Sequence, residues 1–315
     1  MPVNLFKSNK KRLLLAFLLL IGLAATSYIS IRFYLYAKSL AINRLEVRKK
    51  KQAWEELEKN IRSLLVNFRG DCGIVIRDLK YGWEFSFNAD KLIPSASLAK
   101  IPVMAACFYA QEEGAIDLNQ LLSLKRKVRV LGSGRLKNMP YGTNFRAGDL
   151  IELMIAESDN TAANMLIELL GFDYLNIFLN NFGFKNTNIV RGMMDFKSRS
   201  KGRENFTTAQ DISFILDKIY RGEFLNKYIS GECLEILKKQ KMKDRIPAKL
   251  PVATAVAHKT GLEKGVCHDA GIVFTPGGDF LITVLVRHRN KTAHAAKELI
   301  SEIALKVYNY TMGIN

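Results

Sequence analysis

Strand-forming sequence lies at the two ends of the main body of this chain, and helical sequence fills the stretch between them. Residues 72–79 (CGIVIRDL) read as a buried strand and 83–89 (WEFSFNA) as an alternating partner, with KYG as the turn that joins them. Strand signals return near 252–259, at 270–275 and at 279–288, the last two joined by the turn TPGGD. From about 97 to 245 the apolar residues recur at helical steps instead. Strands from both chain ends have to meet in one sheet, so the helical block is an insertion into that sheet. The expectation is an α+β fold. A five-stranded antiparallel sheet is flanked by an N-terminal helix (Gln52 to Phe68) and a C-terminal helix (Ala293 to Met312). The sheet lobe takes residues 52–96 and 250–315, and the all-helical lobe residues 97–249. A cleft between two such lobes is a usual place for a site.

One transmembrane helix is expected to precede this body. Leu13 to Ile31 is apolar or weakly polar throughout, long enough to cross most of a bilayer core. Lys7, Lys10, Lys11 and Arg12 stand before it, as in a signal anchor. The apolar character continues through Phe33 to Tyr36, which favours an uncleaved anchor over a cleaved signal. Residues 1–38 are therefore read as a cytoplasmic basic flank plus anchor, and 39–51 as a basic linker. The formal net charge is +17, and residues 1–51 alone hold eleven Lys or Arg against one acid. Charge bracketing an apolar segment points to a membrane and away from nucleic acid. Arg32, Lys38, Arg44 and Arg48 to Lys51 follow the segment, so charge counting alone leaves its orientation open.

Cys72, Cys107, Cys233 and Cys267 form no CxxC pair, and the four histidines lack zinc-type spacing with them. No metal and no organic cofactor is expected, and sequence does not pair the cysteines.

Three short motifs carry the chemistry. SLAK gives Ser97 and Lys100, three residues apart on one helix face, where an amine of lowered pKa serves as base for a weak hydroxyl nucleophile. That spacing alone is weak evidence, since Ser8 with Lys11 and Ser198 with Lys201 share it. SDN (Ser158–Asn160) lies between two helical segments, and KTG (Lys259–Gly261) ends an expected strand. S-x-x-K, S-D-N and K-T-G in this order are the signature set of penicillin-recognising serine enzymes.

On these motifs the chain resembles the class A β-lactamase family and its wider class A-like serine hydrolase relatives, from about Trp54 to the C-terminal helix. GSGRL (132–136), the passage FRAGDLIELMIAESDNTAANMLIELLG, and HKTG followed by HDAGIVFTPGGDFLITVLV match as well. The resemblance implies a β-lactamase/transpeptidase-like fold and a set of roles. Ser97 is the acylated nucleophile, Lys100 takes its proton, and Ser158 relays a proton to the departing nitrogen. Asn160 bonds the substrate's side-chain amide, while Lys259 and Thr260 hold its carboxylate, with Gly261 and Leu262 on the same strand. Backbone N–H groups of Ser97 and Leu262 form an oxyanion hole, in which one lost donor costs roughly 3–4 kcal/mol.

One part of the family pattern is missing. A β-lactamase also needs an acid that activates the deacylating water. The stretch IVRGMMDFKSRSKGRENFTTAQD lacks the usual Glu-x-x-x-Asn element. Asp195 and then Glu204 are the candidates. The plainer readings are a loop-folding carboxylate paired with a base such as Arg191, and an exposed loop charge. His258 and His268–Asp269 are read as strand packing, Tyr141 and Phe145 as rim or packing aromatics. The basic loop Lys197–Arg203 is read as solvated charge that can also meet anionic wall polymer or lipid.

The expected function is a membrane-anchored extracytoplasmic serine hydrolase, a monomer that opens β-lactam rings through an acyl-serine. The alternatives are a D,D-peptidase or amidase acting on cell-wall peptides, and a non-catalytic wall-binding module. β-Lactams and wall peptides are met outside the cytoplasmic membrane, which sets the expected orientation.

Overall fold

The computed structural model describes residues 4–289 and 292–314, and side chains from residue 10 onward except residue 41. Its chain divides into two units, Met1–Glu56 and Leu57–Asn315. The described residues of the first unit belong to a single helix, α1 (Asn4–Val66), so the stretch read as a linker at 39–51 is helical as well. Its apolar residues from Leu13 to Tyr36 are solvent-exposed. One helix among the described residues is long and apolar enough to cross a membrane, and it is this one.

The second unit is built on a sheet of the order β2-β1-β9-β8-β7, every neighbouring pair antiparallel. Its strands are β1 (Gly70–Asp78), β2 (Glu84–Phe87), β7 (Val256–Glu263), β8 (Val266–Val273) and β9 (Phe280–His288). Both chain ends thus feed one sheet, as the strand pattern requires. β8 is buried along its whole length and β9 at all but one residue, the mark of strands covered on both faces. The strand expected near 252–259 begins later and continues through KTG to Glu263, so Lys259–Gly261 sit mid-strand. Residues 251–255 are a loop, and Val252 there is fully exposed. The early start of β8 reflects the tight turn at Lys264 and Gly265, where Gly265 takes a positive φ.

Two minor ribbons escaped the sequence pattern because each strand is only two or three residues long. β3 (Ile93–Pro94) pairs with β6 (Phe206–Thr207), and β4 (Leu121–Ser123) with β5 (Asn144–Arg146). The helical lobe contains α2 (Lys100–Glu112), α3 (Ala147–Ala156), α4 (Asn160–Leu170), α5 (Phe172–Phe182), α6 (Phe196–Ser200), α7 (Ala209–Tyr220) and α8 (Lys227–Lys238). Within α2 every residue from Lys100 to Phe108 is buried, so it is the lobe's central helix. The C-terminal helix α9 (His294–Met312) lies on the sheet, as its amphipathic pattern requires.

Candidate functional site

Ser97 lies where strand gives way to helix. After β3, Ala96 takes a left-handed φ of 45°, a strained conformation for a residue with a Cβ. A 3₁₀ turn, Ala96–Ala99, then leads directly into α2. The kink is held from outside: the backbone N–H and the hydroxyl of Ser95 both donate to Asn205 O, at 2.8 and 3.1 Å. Ser97 is left half-buried at the head of the turn, beside backbone N–H groups with no intrahelical partner.

Lys100 and Lys259 meet at Ser158. The Lys100 amine donates to Ser158 O at 2.6 Å, Ser158 Oγ at 3.2 Å and Asn160 Oδ1 at 2.8 Å. The Lys259 amine donates to the same Ser158 Oγ at 3.0 Å and to Thr260 O at 2.8 Å. Both lysines are wholly buried. Burial, and then the charge of Lys259, hold Lys100 well below the ordinary lysine range, against the pull of Asp159. Burial and the Arg245 charge bring Lys259 down to about 7, against Asp269. An amine whose pKa is lowered in this way gives up its own proton more readily, and can then accept one from a hydroxyl, than an ordinary lysine can. Spacing on the helix suggested that Lys100 reaches Ser97 directly. Instead the amine has Ser158 O, Ser158 Oγ and Asn160 Oδ1 within hydrogen-bond distance, so Ser158 is the bridge between the two lysines.

SDN is placed by the loop of GSGRL. Ser158 itself is left-handed, with φ 54°. Asp159 caps α4 by accepting from Ala162 N at 2.9 Å, and its other oxygen accepts from Leu136 N at 2.8 Å. A Cβ on Gly134 would lie 2.1 Å from the Asp159 carboxyl carbon, and one on Gly132 would lie 2.6 Å from Asn160 Nδ2. Only glycine fits at either position, which explains a motif that the sequence offers without a reason. Asn160 Nδ2 donates to Leu131 O at 3.3 Å.

KTG lies on β7, the edge strand, which leaves backbone groups on its outer side without a sheet partner. Gly261 is pressed against His268, with 3.0 Å between its virtual Cβ and the ring. His268 Nδ1 accepts from Val286 N and Nε2 donates to Pro94 O, so the ring is neutral, and burial pushes it down to about 4. Asp269 pairs with His258 and not with its neighbour His268: Nδ1 of His258 lies 2.9 Å from Asp269 Oδ1. Both histidines are packing residues, as expected. The four cysteines are buried and free. Tyr141 is stacked by the Arg129 guanidinium at 4.1 Å, and Phe145 packs on the helical core.

A pocket of about 240 Å³ opens beside Ser97. On one side it is lined by Gly132, Ser133 and Asn160, and on the others by Leu262, Glu263, Arg191, Met193, Met194, Phe196 and Asn205. Neither candidate acid is among these residues. Asp195 caps α6, accepting from Ser198 N at 2.9 Å, and the Ser198 hydroxyl together with that backbone contact holds its carboxyl below the usual range. Glu204 is locked into a cluster of two arginines and two glutamates. Arg191 Nη2 lies 2.7 Å from Glu204 and 3.3 Å from Glu263, and Arg199 pairs with both acids. Arg191 is 5% exposed, so this is a nearly buried ion cluster. Asp195 is thus a loop-folding carboxylate, partnered by Ser198 and not by Arg191, and the reading of Glu204 as an exposed loop charge is corrected: its side chain is 10% exposed and paired with Arg191 and Arg199.

Three further residues shape the site. Asn164 clamps Met193 by its backbone, accepting from Met193 N at 2.7 Å and donating to Met193 O at 3.2 Å. Its spacing of four from Asn160 on α4 was the available clue. Glu263 joins the loop of residues 191–205 to β7. Arg245 is wholly buried and donates through Nε to Cys267 Sγ, and its Nη1 has no hydrogen-bond partner. Nothing in the local sequence marks it.

Known proteins give the same picture. A family model described as the Beta-lactamase enzyme family matches residues 56–311. β-Lactamase VEB-1 of Pseudomonas aeruginosa is 24% identical, over 81% of this chain and 90% of its own. Among solved structures, PBP-A superposes with a TM-score of 0.76 at 29% identity, covering 82% of this chain and 97% of its own. A mutant of PBP-A, described as an acyl-enzyme complex with penicillin G, superposes with a TM-score of 0.75 at 28% identity, with the same coverage. A β-lactamase from Sphaerobacter thermophilus gives 0.74 at 28%, covering 83% and 99%.

Proposed function

We propose, from the premise that this chain belongs to the β-lactamase enzyme family, that Ser97 is acylated by β-lactams and that the acyl-enzyme clears slowly. The enzyme is a class A β-lactamase-like serine hydrolase. Ser97 Oγ attacks the lactam carbonyl carbon, and its proton passes to Lys100, whose lowered pKa favours the unprotonated amine that can take it. Backbone N–H groups of Ser97 and Leu262 receive the developing oxyanion. When the C–N bond breaks, Ser158 gives its proton to the departing nitrogen and is reprotonated by Lys100, which holds the proton taken from Ser97. Lys259 and Thr260 take the substrate carboxylate and Asn160 its side-chain amide, while Gly261 lets β7 pack closely on His268.

The observation that carries this reading is Ser158 Oγ held between two wholly buried lysines, 3.2 Å from one amine and 3.0 Å from the other. Such an arrangement is costly to bury and has no packing purpose. Treatment with penicillin followed by peptide mapping tests it. The adduct is expected on the peptide containing Ser97 and absent from Ser97→Ala; labelling elsewhere contradicts it.

Slow clearance rests on the opposite wall. Met193, Met194 and Phe196 line the pocket there beside Arg191 and Glu263, and the three nearby carboxylates are engaged: Glu204 and Glu263 by arginines, Asp195 by Ser198. The same feature favours the second reading, an amidase or D,D-peptidase on wall peptides, in which a β-lactam acts as a trapped substrate. Amide and ester turnover of peptides ending in a free carboxylate separates the two.

The exposed apolar length of α1 and its basic flank support an uncleaved anchor, with the enzyme domain outside the cytoplasmic membrane. A reporter fused after residue 315 should be active only on the outer side; activity only in the cytoplasm refutes that orientation.

A further inference from the structure

The charges around the pocket mouth do not cancel. Residues 191–205 and 261–265 carry six cations against three carboxylates. Those carboxylates are spent within the protein. Glu204 and Glu263 are consumed by Arg191 and Arg199, and Asp195 is turned to the N-terminus of α6. The remaining four cations, Lys197, Lys201, Arg203 and Lys264, are exposed, and among the described residues none has an ion-pair partner. Their positions are fixed by neighbours that line the pocket. Lys197 follows Phe196 and Lys264 follows Glu263, while the Arg199–Glu263 pair brings the two segments together. Arg203 N donates to Ser198 O, which folds the end of the loop back over α6. An ordinary surface intersperses free acids among such bases; here two of the three are held by Arg191 and Arg199, and the third caps α6.

We propose that the mouth is a docking surface for an acidic peptide, one bearing carboxylates along the chain that leads away from the bond attacked by Ser97. The proposal rests on the acyl-serine reading and names its substrate class. The edge strand β7 offers backbone groups to an extended peptide, and the four cations meet its side-chain carboxylates as it leaves the cleft beside α6. The buried Lys259 holds one terminal carboxylate; the rim recognises the additional ones. Contacts of this exposed kind weaken with salt.

The test uses the full-length protein in detergent and two fluorescent peptides of equal length ending in a free carboxylate, with Glu or Gln at the three preceding positions. Anisotropy at low ionic strength should show the Glu peptide binding about tenfold more tightly, the preference shrinking toward one at 0.5 M salt. The combined substitution K197Q, K201Q, R203Q and K264Q should abolish the preference while the protein keeps its melting temperature. Equal affinity for the two peptides, or a preference that survives in the variant, overturns the proposal. Penicillin labelling of the native protein is measured alongside. A preference for the Glu peptide without any labelling would refute the acyl-serine reading and leave the charge recognition standing.

Discussion

The two sides of the site around Ser97 are built on different principles. On one, Lys100, Ser158, Asn160 and Lys259 form a continuous chain of hydrogen bonds in which ionisable groups are buried at a cost. On the other, charges of opposite sign neutralise each other in the Arg191–Glu204–Arg199–Glu263 cluster, and Met193, Met194 and Phe196 line the pocket beside the paired Arg191 and Glu263. The first wall stores free energy in shifted pKa values; the second satisfies its charges and leaves none available. A base that can deprotonate a serine and an acid that can activate a water are separate requirements, and this molecule invests in the first.

The comparison is broken most severely at Lys100. Lys100→Met should slow acylation by 10²–10⁴-fold while the fold is kept, on the order of the contribution of a general base. Stopped-flow labelling with a chromogenic cephalosporin reads it directly. Met193→Glu should act on the other wall alone. It places a carboxylate where Asn164 fixes the backbone and should speed loss of the acyl group by roughly tenfold to a hundredfold, with acylation little changed. Deacylation followed by intact mass is the measurement.

Lys259 sharpens the contrast through pH. Its amine is charged only below about 7, so the ion pair with a substrate carboxylate weakens as pH rises through that value. kcat/KM for acylation should therefore fall on the alkaline side of 7, whereas an ester analogue without the carboxylate should lack that limb. The stability sign is the reverse. The unfolded chain keeps the Lys259 proton up to about 10.5, so it binds more protons than the folded state between 7 and 10.5, and stability rises with pH across that window.

The smallest effects are expected where acids serve structure. Glu204→Gln leaves the nearly buried Arg191 with less compensation and should cost about 2–4 kcal/mol in urea unfolding. Asp195→Ala removes one cap on a short helix, about 0.5–1 kcal/mol. Neither should change acyl-enzyme lifetime by more than about twofold; a tenfold change from either would return that acid to the mechanism.

The sheet, the inserted helical lobe and the C-terminal helix were legible because burial on one or both faces imposes a period on the sequence. The motif residues were legible because chemistry fixes their spacing. Shorter-range geometry left no trace. The two minor ribbons are too short to show a period. Lys100 points to Ser158 instead of Ser97 because Ser158 adopts a left-handed backbone that no spacing rule announces. The fate of Asp195 and Glu204 depended on which arginine each would meet, and loop sequence does not specify pairing. Gly132 and Gly134 were visible as a motif, but only the approach of Asp159 and Asn160 gives the reason.

The central claim is that acylation is intact and clearance is not. It is tested most directly by mixing full-length protein in detergent with an equimolar penicillin at neutral pH and following intact mass. The account predicts a single adduct on Ser97 that persists for many minutes, with ring opening limited to about one equivalent. An adduct that clears within seconds, with tens of turnovers, would contradict it and place a water-activating group on the wall now assigned to Met193, Met194 and Phe196.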